Sequence, residues 1–256
     1  MIDLQIQGDV AHIRLDNPAR LNALDEQAVR DLHEAYRAAG REGVRALTLT
    51  GEGRSFCAGR DISGVDPRDD DVLGYLEGLV APLMRTMAEF PAPTFAVAQG
   101  AALGVGLGLL IATDVVYVAD DAKIGSPFAA LGATLDSGGH ALFFERLGAH
   151  RALDLIYTGR LMSGEEAVHA GLFSRCYPAA ELEQAVQDAA TTAAAGATQA
   201  FVASKRLIAQ LRAHRVGLWD AISAENRAQA ALCDTADYRE GFAAFQEKRR
   251  PEFRGR

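Results

Sequence analysis

The stretch Phe95-Ala-Val-Ala-Gln-Gly-Ala-Ala-Leu-Gly-Val-Gly-Leu-Gly-Leu-Leu-Ile-Ala-Thr-Asp114 constrains this chain more than any other. It begins as a β-run, passes through Gly100, Gly104, Gly106 and Gly108, and ends as an apolar helix. That pattern predicts a strand, a tight turn and a buried helix start. Glycine allows close backbone approach and unusual angles, and the first amides of a helix have no partner within it. Such a turn can hold a developing negative charge on bare N–H groups. The plainer alternative is that the small residues only let a buried helix pack tightly. A dinucleotide fingerprint is excluded, because Gly104, Gly106 and Gly108 are spaced G-x-G-x-G and not G-x-G-x-x-G.

The surrounding chain of 256 residues can bury a sizeable core, and no low-complexity linker divides it. A net charge of −8, with the basic residues scattered until the last few positions, gives no footprint for nucleic acid, so the expected partner is a small molecule. Cys57, Cys176 and Cys233 are too far apart for a disulfide framework or a cysteine zinc site. The sequence opens directly into a strand pattern, so no signal peptide is expected. The longest apolar run, Leu103 to Thr113, falls short of the roughly 20 residues of a membrane span. The expectation is a soluble cytoplasmic protein without a membrane partner.

Leu4-Gln-Ile6 and Val10 to Leu15 alternate around Gly8-Asp9 as a hairpin. After a loop from Asn17 to Leu24, Asp25 is placed to cap a helix running to about Ala39, and Arg45 to Thr50 reads as the next strand. Gly51-Glu-Gly-Arg54 lacks the Gly-Lys-Ser/Thr of a P-loop. Phe56-Cys-Ala-Gly-Arg-Asp61 is a second small-residue turn whose amides can face a ligand. An acidic, mobile segment from Pro67 to Asp71 leads into an amphipathic helix from Val72 to Phe90, stopped by Pro91 and Pro93. Val115 to Val118 and Lys123-Ile124 supply further strands. Alternating strands and helices through residue 125 imply an α/β fold with a substantially parallel core. Beyond it, 138–148, 150–158, 164–172, 180–195, 198–214, 218–233 and 237–248 read as helices, so the C-terminal third is expected to be nearly all α.

Five segments stand in the order and spacing of the crotonase superfamily, the enoyl-CoA hydratase and isomerase family, which the chain resembles over nearly its whole length. They are Asn17-Pro-Ala-Arg-Leu-Asn-Ala-Leu24, Ser55-Phe-Cys-Ala-Gly-Arg-Asp-Ile62, Gly100-Ala-Ala-Leu-Gly-Val-Gly106, Leu131-Gly-Ala-Thr-Leu-Asp-Ser-Gly-Gly139 and Gly241-Phe-Ala-Ala-Phe-Gln-Glu-Lys-Arg249. The resemblance implies a ClpP-like spiral of β-β-α units over residues 1–195 and a helical region over 196–256 that forms a homotrimer or a dimer of trimers. It implies an acyl-CoA thioester as substrate, no metal, and no cofactor beyond the coenzyme A that the substrate carries. The oxyanion hole would be the amides of Arg60 and Val105, two donors that favour an enolate over a neutral carbonyl. The Arg60 side chain would then be a solvated surface group. CoA-contacting positions map onto Arg20, Ala58, Asp61 and Ile62. Lys248, supplied by a neighbouring subunit, is the phosphate partner implied, with a merely solvated charge as the alternative.

Hydratases of this family carry two glutamates, at positions that here hold Gly108 and Phe128; neither can move a proton. Phe128 is left as a wall of the substrate site. The acid that does stand close is Asp136, where certain isomerases, chlorobenzoyl-CoA dehalogenases and naphthoyl-CoA synthases of the family also carry aspartate. Asp136 is equally placed to cap a helix from Gly138. One acid suffices to move a double bond, since a single base can take a proton from one carbon and return it to another. The pattern is closest to the 1,2-epoxyphenylacetyl-CoA isomerase and enoyl-CoA isomerase type. It implies a double-bond shift or an epoxide/oxepin-type rearrangement, with enoyl-CoA hydration as the runner-up. Dehalogenation would need a tryptophan and a histidine in the site, and the one tryptophan, Trp219, is far along the chain. The tyrosine and serine signatures of naphthoyl-CoA synthases have no match. A non-catalytic acyl-CoA binder is the alternative from another class. His140 reads as a partly exposed polar residue and Cys57 as a small buried one.

Overall fold

The computed structural model describes residues 1–65, 68–214, 226, 227 and 229–256. β1 (Ile2–Gln7) and β2 (Val10–Leu15) form the expected hairpin, antiparallel from Ile2↔Leu15 to Gln7↔Val10. β3 (Ala46–Gly51) and β4 (Thr94–Ala98) add in parallel. β5 (Ala101–Leu103) leaves this sheet, β6 (Val115–Ala119) rejoins it beside β4, and β7 (Lys123–Gly125) pairs with β5 in a small second sheet. β8 (Arg175–Tyr177) completes a six-stranded sheet of order β1-β2-β3-β4-β6-β8, in which all pairings after the hairpin are parallel.

Helix α1 (Glu26–Arg41) starts where Asp25 Oδ1 accepts the Ala28 amide at 2.8 Å, and it buries Ala28, Val29, Leu32, Ala35, Tyr36 and Ala39 against β1 and β2. The amphipathic helix expected from Val72 to Phe90 is interrupted. α2 (Val72–Tyr75) passes through a π-helical turn at Leu76–Val80 into α3 (Ala81–Ala88). Pro82 has no N–H to give the Gly78 carbonyl, so regular α-helical bonding cannot run through this point. α4 (Val105–Ile111) follows the glycine turn. α5 (Gly139–Thr158) breaks at Gly148, where φ 75 and ψ 171 separate the two helices expected there. α6 (Gly164–His169), α7 (Ala179–Ala194), α8 (Thr198–His214) and α9 (Ala236–Glu247) follow. The helix expected over 218–233 lies largely outside the described residues.

β3 and β4 are almost wholly buried because α7 lies along β3, β4 and β6 through Leu182, Val186, Ala190 and Ala194. Parallel strands covered in this way read as continuous apolar runs and not as alternation. β5 and β8 fall outside the expected pattern, and β8 corrects the expectation of an almost purely helical C-terminal third. A strand of three residues is too short to show a period, and its pairing with β6 defines it. The chain end is fastened to the sheet region by Arg45, which donates to Phe253 O at 2.9 Å and Gly196 O at 2.6 Å. Asp237 accepts the amides of Arg254 and Gly255 at 2.6 and 2.7 Å. Among the described residues no helix is long and apolar enough to cross a membrane.

Candidate active site

The two glycine turns are joined by backbone pairing. Cys57 N–H donates to Ala101 O at 2.9 Å and Leu103 N–H donates to Cys57 O at 3.0 Å, a short parallel bridge between the 57 loop and β5. Both chains turn just beyond it. In the first, Leu24 N–H donates to Gly59 O at 2.8 Å and Asp61 N–H to Leu24 O at 2.9 Å, so Arg60 bridges Leu24 on the far side. In a parallel bridge the N–H of the central residue points away from that partner, so the Arg60 amide is not spent on Leu24. In the second, Gly104 takes φ 52 and ψ −118, closed to other residues, and leaves Val105 N–H at the first position of α4. A Cβ added to Gly59 would lie 3.7 Å from Val105 N. Among the described residues neither amide has an acceptor, although Val105 is buried. Phe128 closes one side, since a Cβ added to Gly104 would come within 3.1 Å of its ring.

Asp136 is not the cap of α5. Gly138, at φ 84, holds the N-cap position with no side-chain hydrogen bond, and the Asp136 main chain accepts the Gly139 amide at 2.9 Å. Two successive left-handed residues, Ser137 (φ 49) and Gly138, carry the carboxylate off the helix end. Asp136 Oδ1 and Ser137 Oγ are both buried and both without a hydrogen-bond partner. Burial raises the Asp136 carboxyl above its ordinary range, opposed by the nearby Ser137 hydroxyl and the Arg60 cation. That hydroxyl stands close without reaching hydrogen-bond geometry. Ser137 also touches α4, because a Cβ on Gly108 would fall 2.5 Å from Ser137 Cβ. Gly108 lies three residues after Val105, about 4.5 Å along the helix axis. The Asp136 loop therefore meets α4 one turn from the free Val105 amide.

The Arg60 side chain overturns the expectation of a solvated group. It is 19% exposed, donates to the two carboxylate oxygens of Asp70 at 2.6 and 2.8 Å, and lies 4.2 Å over the Tyr75 ring. Tyr75 OH in turn donates to Leu24 O at 3.3 Å, and burial pushes its phenol upward, so it stays neutral. Asp70 is thus held in place within the segment expected to be mobile. An arginine paired with an acid ten residues on, across an irregular loop, leaves no periodic signal in sequence.

The positions mapped for CoA gather along the adjoining loops. Arg20 donates to Ser63 Oγ at 2.7 Å and stands 3.5 Å from Asp61, and Ala58 N–H donates to Leu21 O at 3.0 Å. Asn22, which sequence reasoning left without a role, ties the loops together by donating to Ser55 O at 2.8 Å and Glu52 O at 3.0 Å. Ile62 is 52% exposed beside them. Lys248 is exposed past the end of α9, and among the described residues no hydrogen bond or ion pair joins it to this rim. Burial pushes the Cys57 thiol up to about 12, so the thiolate is disfavoured near neutral pH. A separate apolar cavity of about 520 Å³ between α8 and α9, lined by Ala200, Leu232, Tyr238, Phe242 and Phe253, holds no free acid: its carboxylate, Asp237, already takes the two tail amides.

Residues 5–256 match the family model for enoyl-CoA hydratase/isomerase. The chain is similar to a Rhodobacter capsulatus protein named probable enoyl-CoA hydratase, 34% identical over 259 residues that cover 100% of this chain and 98% of that one. It is also similar to the 1,2-epoxyphenylacetyl-CoA isomerase of Escherichia coli, 31% identical over 98% of this chain and 97% of that one. Among solved structures, the enoyl-CoA hydratase of Bacillus anthracis superposes with a TM-score of 0.90 at 29% identity, covering 100% of this chain and 99% of that one. The fold is the crotonase fold, and the chain belongs to the enoyl-CoA hydratase/isomerase family.

Proposed function

We propose that the protein isomerises an enoyl-CoA thioester, with Asp136 as its single acid/base and the amides of Arg60 and Val105 as the oxyanion hole. Relatives carry both hydratase and isomerase names, so the residues of this site have to separate the two. The observation that carries the isomerase reading is the buried, unpaired Oδ1 of Asp136. A base that removes a proton from carbon needs a lone pair facing an apolar C–H, and among the described residues Asp136 Oδ1 makes no hydrogen bond. Its raised proton affinity suits a group that must take a proton and give it back.

In this reading Asp136 takes the C2 proton of a 3-enoyl thioester and the electrons move onto the thioester oxygen, where the two amides meet the charge. The same carboxyl returns the proton to C4, and the double bond is left between C2 and C3. An epoxide or oxepin rearrangement would use the same stabilised thioester. Hydration needs a second group to hold and deprotonate water, and Gly108 and Phe128 offer none. We also infer a homotrimer or a dimer of trimers, in which Lys248 reaches a neighbour's CoA phosphates. Exposed Phe144, Tyr157, Phe201, Ile208 and Phe242 on α5, α8 and α9 support association through the helical region.

The test assays wild type and Asp136→Asn with 3-hexenoyl-CoA and with crotonyl-CoA. Wild type is expected to isomerise the first and to hydrate the second poorly, and Asp136→Asn to lose isomerisation by about 10²-fold or more while still binding CoA esters. Efficient hydration by wild type overturns the isomerase reading. A folded wild type that turns over neither ester is a binder.

A further inference from the structure

Three side-chain atoms among the described residues are buried without a hydrogen-bond partner: Tyr36 Oη, Asp136 Oδ1 and Ser137 Oγ. Tyr36 lies in the core of α1, edge-on to Phe90 and away from the site. Asp136 Oδ1 is accounted for by carbon acid chemistry. Ser137 Oγ is not. Native proteins pair nearly all buried hydroxyls, so an unpaired one at a ligand site calls for a ligand group. The residue also sits at φ 49, a conformation uncommon for a non-glycine residue. Its Cβ and carbonyl are held against the bare backbone of Gly108, so the hydroxyl is fixed beside the carboxylate and one turn along α4 from the oxyanion amide.

We propose that Ser137 is a specificity-determining residue whose hydroxyl donates a hydrogen bond to an oxygen on the acyl chain, a few bonds from the thioester carbonyl, so that the enzyme prefers oxygen-bearing acyl groups over plain hydrocarbon chains. This rests on the reading of Asp136 and the two amides as the reaction site. Donor and acceptor chemistry separates the roles of the neighbours. Asp136, an acceptor when ionised, faces the C–H, and Ser137, a donor, faces an ether, epoxide, hydroxyl or keto oxygen. A pocket that buries a donor discriminates against a substrate lacking the acceptor, because the hydroxyl is then desolvated for nothing.

The test measures binding by calorimetry, free of chemistry, with two saturated esters of equal chain length: hexanoyl-CoA and its ether analogue 3-ethoxypropanoyl-CoA. Wild type is expected to bind the ether more tightly. Ser137→Ala should weaken the ether about three- to tenfold, the range for one neutral hydrogen bond, and leave hexanoyl-CoA unchanged. Ser137→Gly, which removes the hydroxyl and suits the positive φ, should show the same selective loss, so a folding defect in the alanine variant does not obscure the answer. Equal weakening of both esters, or no change in either, overturns the proposal. If wild type fails to isomerise any 3-enoyl-CoA but the selective loss is seen, the reaction assignment falls and the oxygen subsite stands.

Discussion

A Cβ placed on Gly108 would stand 2.5 Å from the Cβ of Ser137 and 3.0 Å from its carbonyl oxygen, so α4 and the Asp136 loop touch through the bare backbone of that glycine. The family's first hydratase glutamate would occupy this position. Its absence here is therefore built into the packing. Gly108→Glu should not create a hydratase. It should push away the Ser137 segment and Asp136 with it, with an overpacking cost of about 1–3 kcal/mol. The expected result is a melting temperature lower by roughly 2–12 °C, lost isomerisation and no gain in crotonyl-CoA hydration. A variant as stable as wild type that hydrates crotonyl-CoA would show that the loop yields.

Asp136, the proposed base, costs stability at neutral pH, and the sign is fixed by its surroundings. Burial raises its folded pKa above the unfolded value, so its favourable contribution is full below the unfolded pKa, near 4, and is lost as pH rises through the folded pKa. Asp136→Asn removes the buried charge. At pH 7 the variant should melt at or above the wild-type temperature, and the difference should shrink as the pH is lowered toward 4. Melts across that window test this, and a variant clearly less stable at pH 7 would mean that the carboxylate makes a structural bond.

Val105→Pro removes one proposed oxyanion donor and keeps the helix, since proline is accepted at a first helical position where the N–H has no partner. Turnover of 3-hexenoyl-CoA should fall about 10²–10³-fold with a much smaller change in binding of hexanoyl-CoA. Equal losses in turnover and binding would place the Val105 amide in ground-state recognition only.

The parts of the site legible in sequence are those made by backbone. Gly104 and the Phe56–Asp61 turn announce themselves by composition, and the long helices by period and caps such as Asp25. The parts that stayed hidden depend on side chains meeting across irregular chain. Asp136 is marked by the resemblance, but its spacing to Gly138 leaves a helix cap equally open until the left-handed Ser137 turns it away. Arg60 looks solvated until Asp70 and Tyr75, ten and fifteen residues on, fold over it. β8 is too short to show a period, and only its pairing with β6 makes it a strand.

The proposed oxyanion amide of Arg60 and the charge of its side chain are separable, because any residue at that position supplies the amide while only a cation supplies the charge. Its guanidinium is fixed by Asp70 and Tyr75 and favours the ionised form of Asp136. The charged or titratable groups acting on that carboxyl are Arg60 and, through Arg60, Asp70, with neutral Tyr75 beside them and the Ser137 hydroxyl adjacent. Arg60→Gln should therefore keep the oxyanion donor but let the Asp136 pKa rise further. Since the carboxylate is the active form for proton removal, the acid limb of kcat/KM for 3-hexenoyl-CoA should move to higher pH, with the plateau rate largely retained. Arg60→Lys keeps a cation but loses the bidentate and stacked geometry, so its limb should stay near that of wild type while its melting temperature falls. Full pH profiles of the three proteins decide the matter: an unmoved limb in Arg60→Gln, or one that moves equally in both variants, would leave the arginine a purely structural clasp on Asp70.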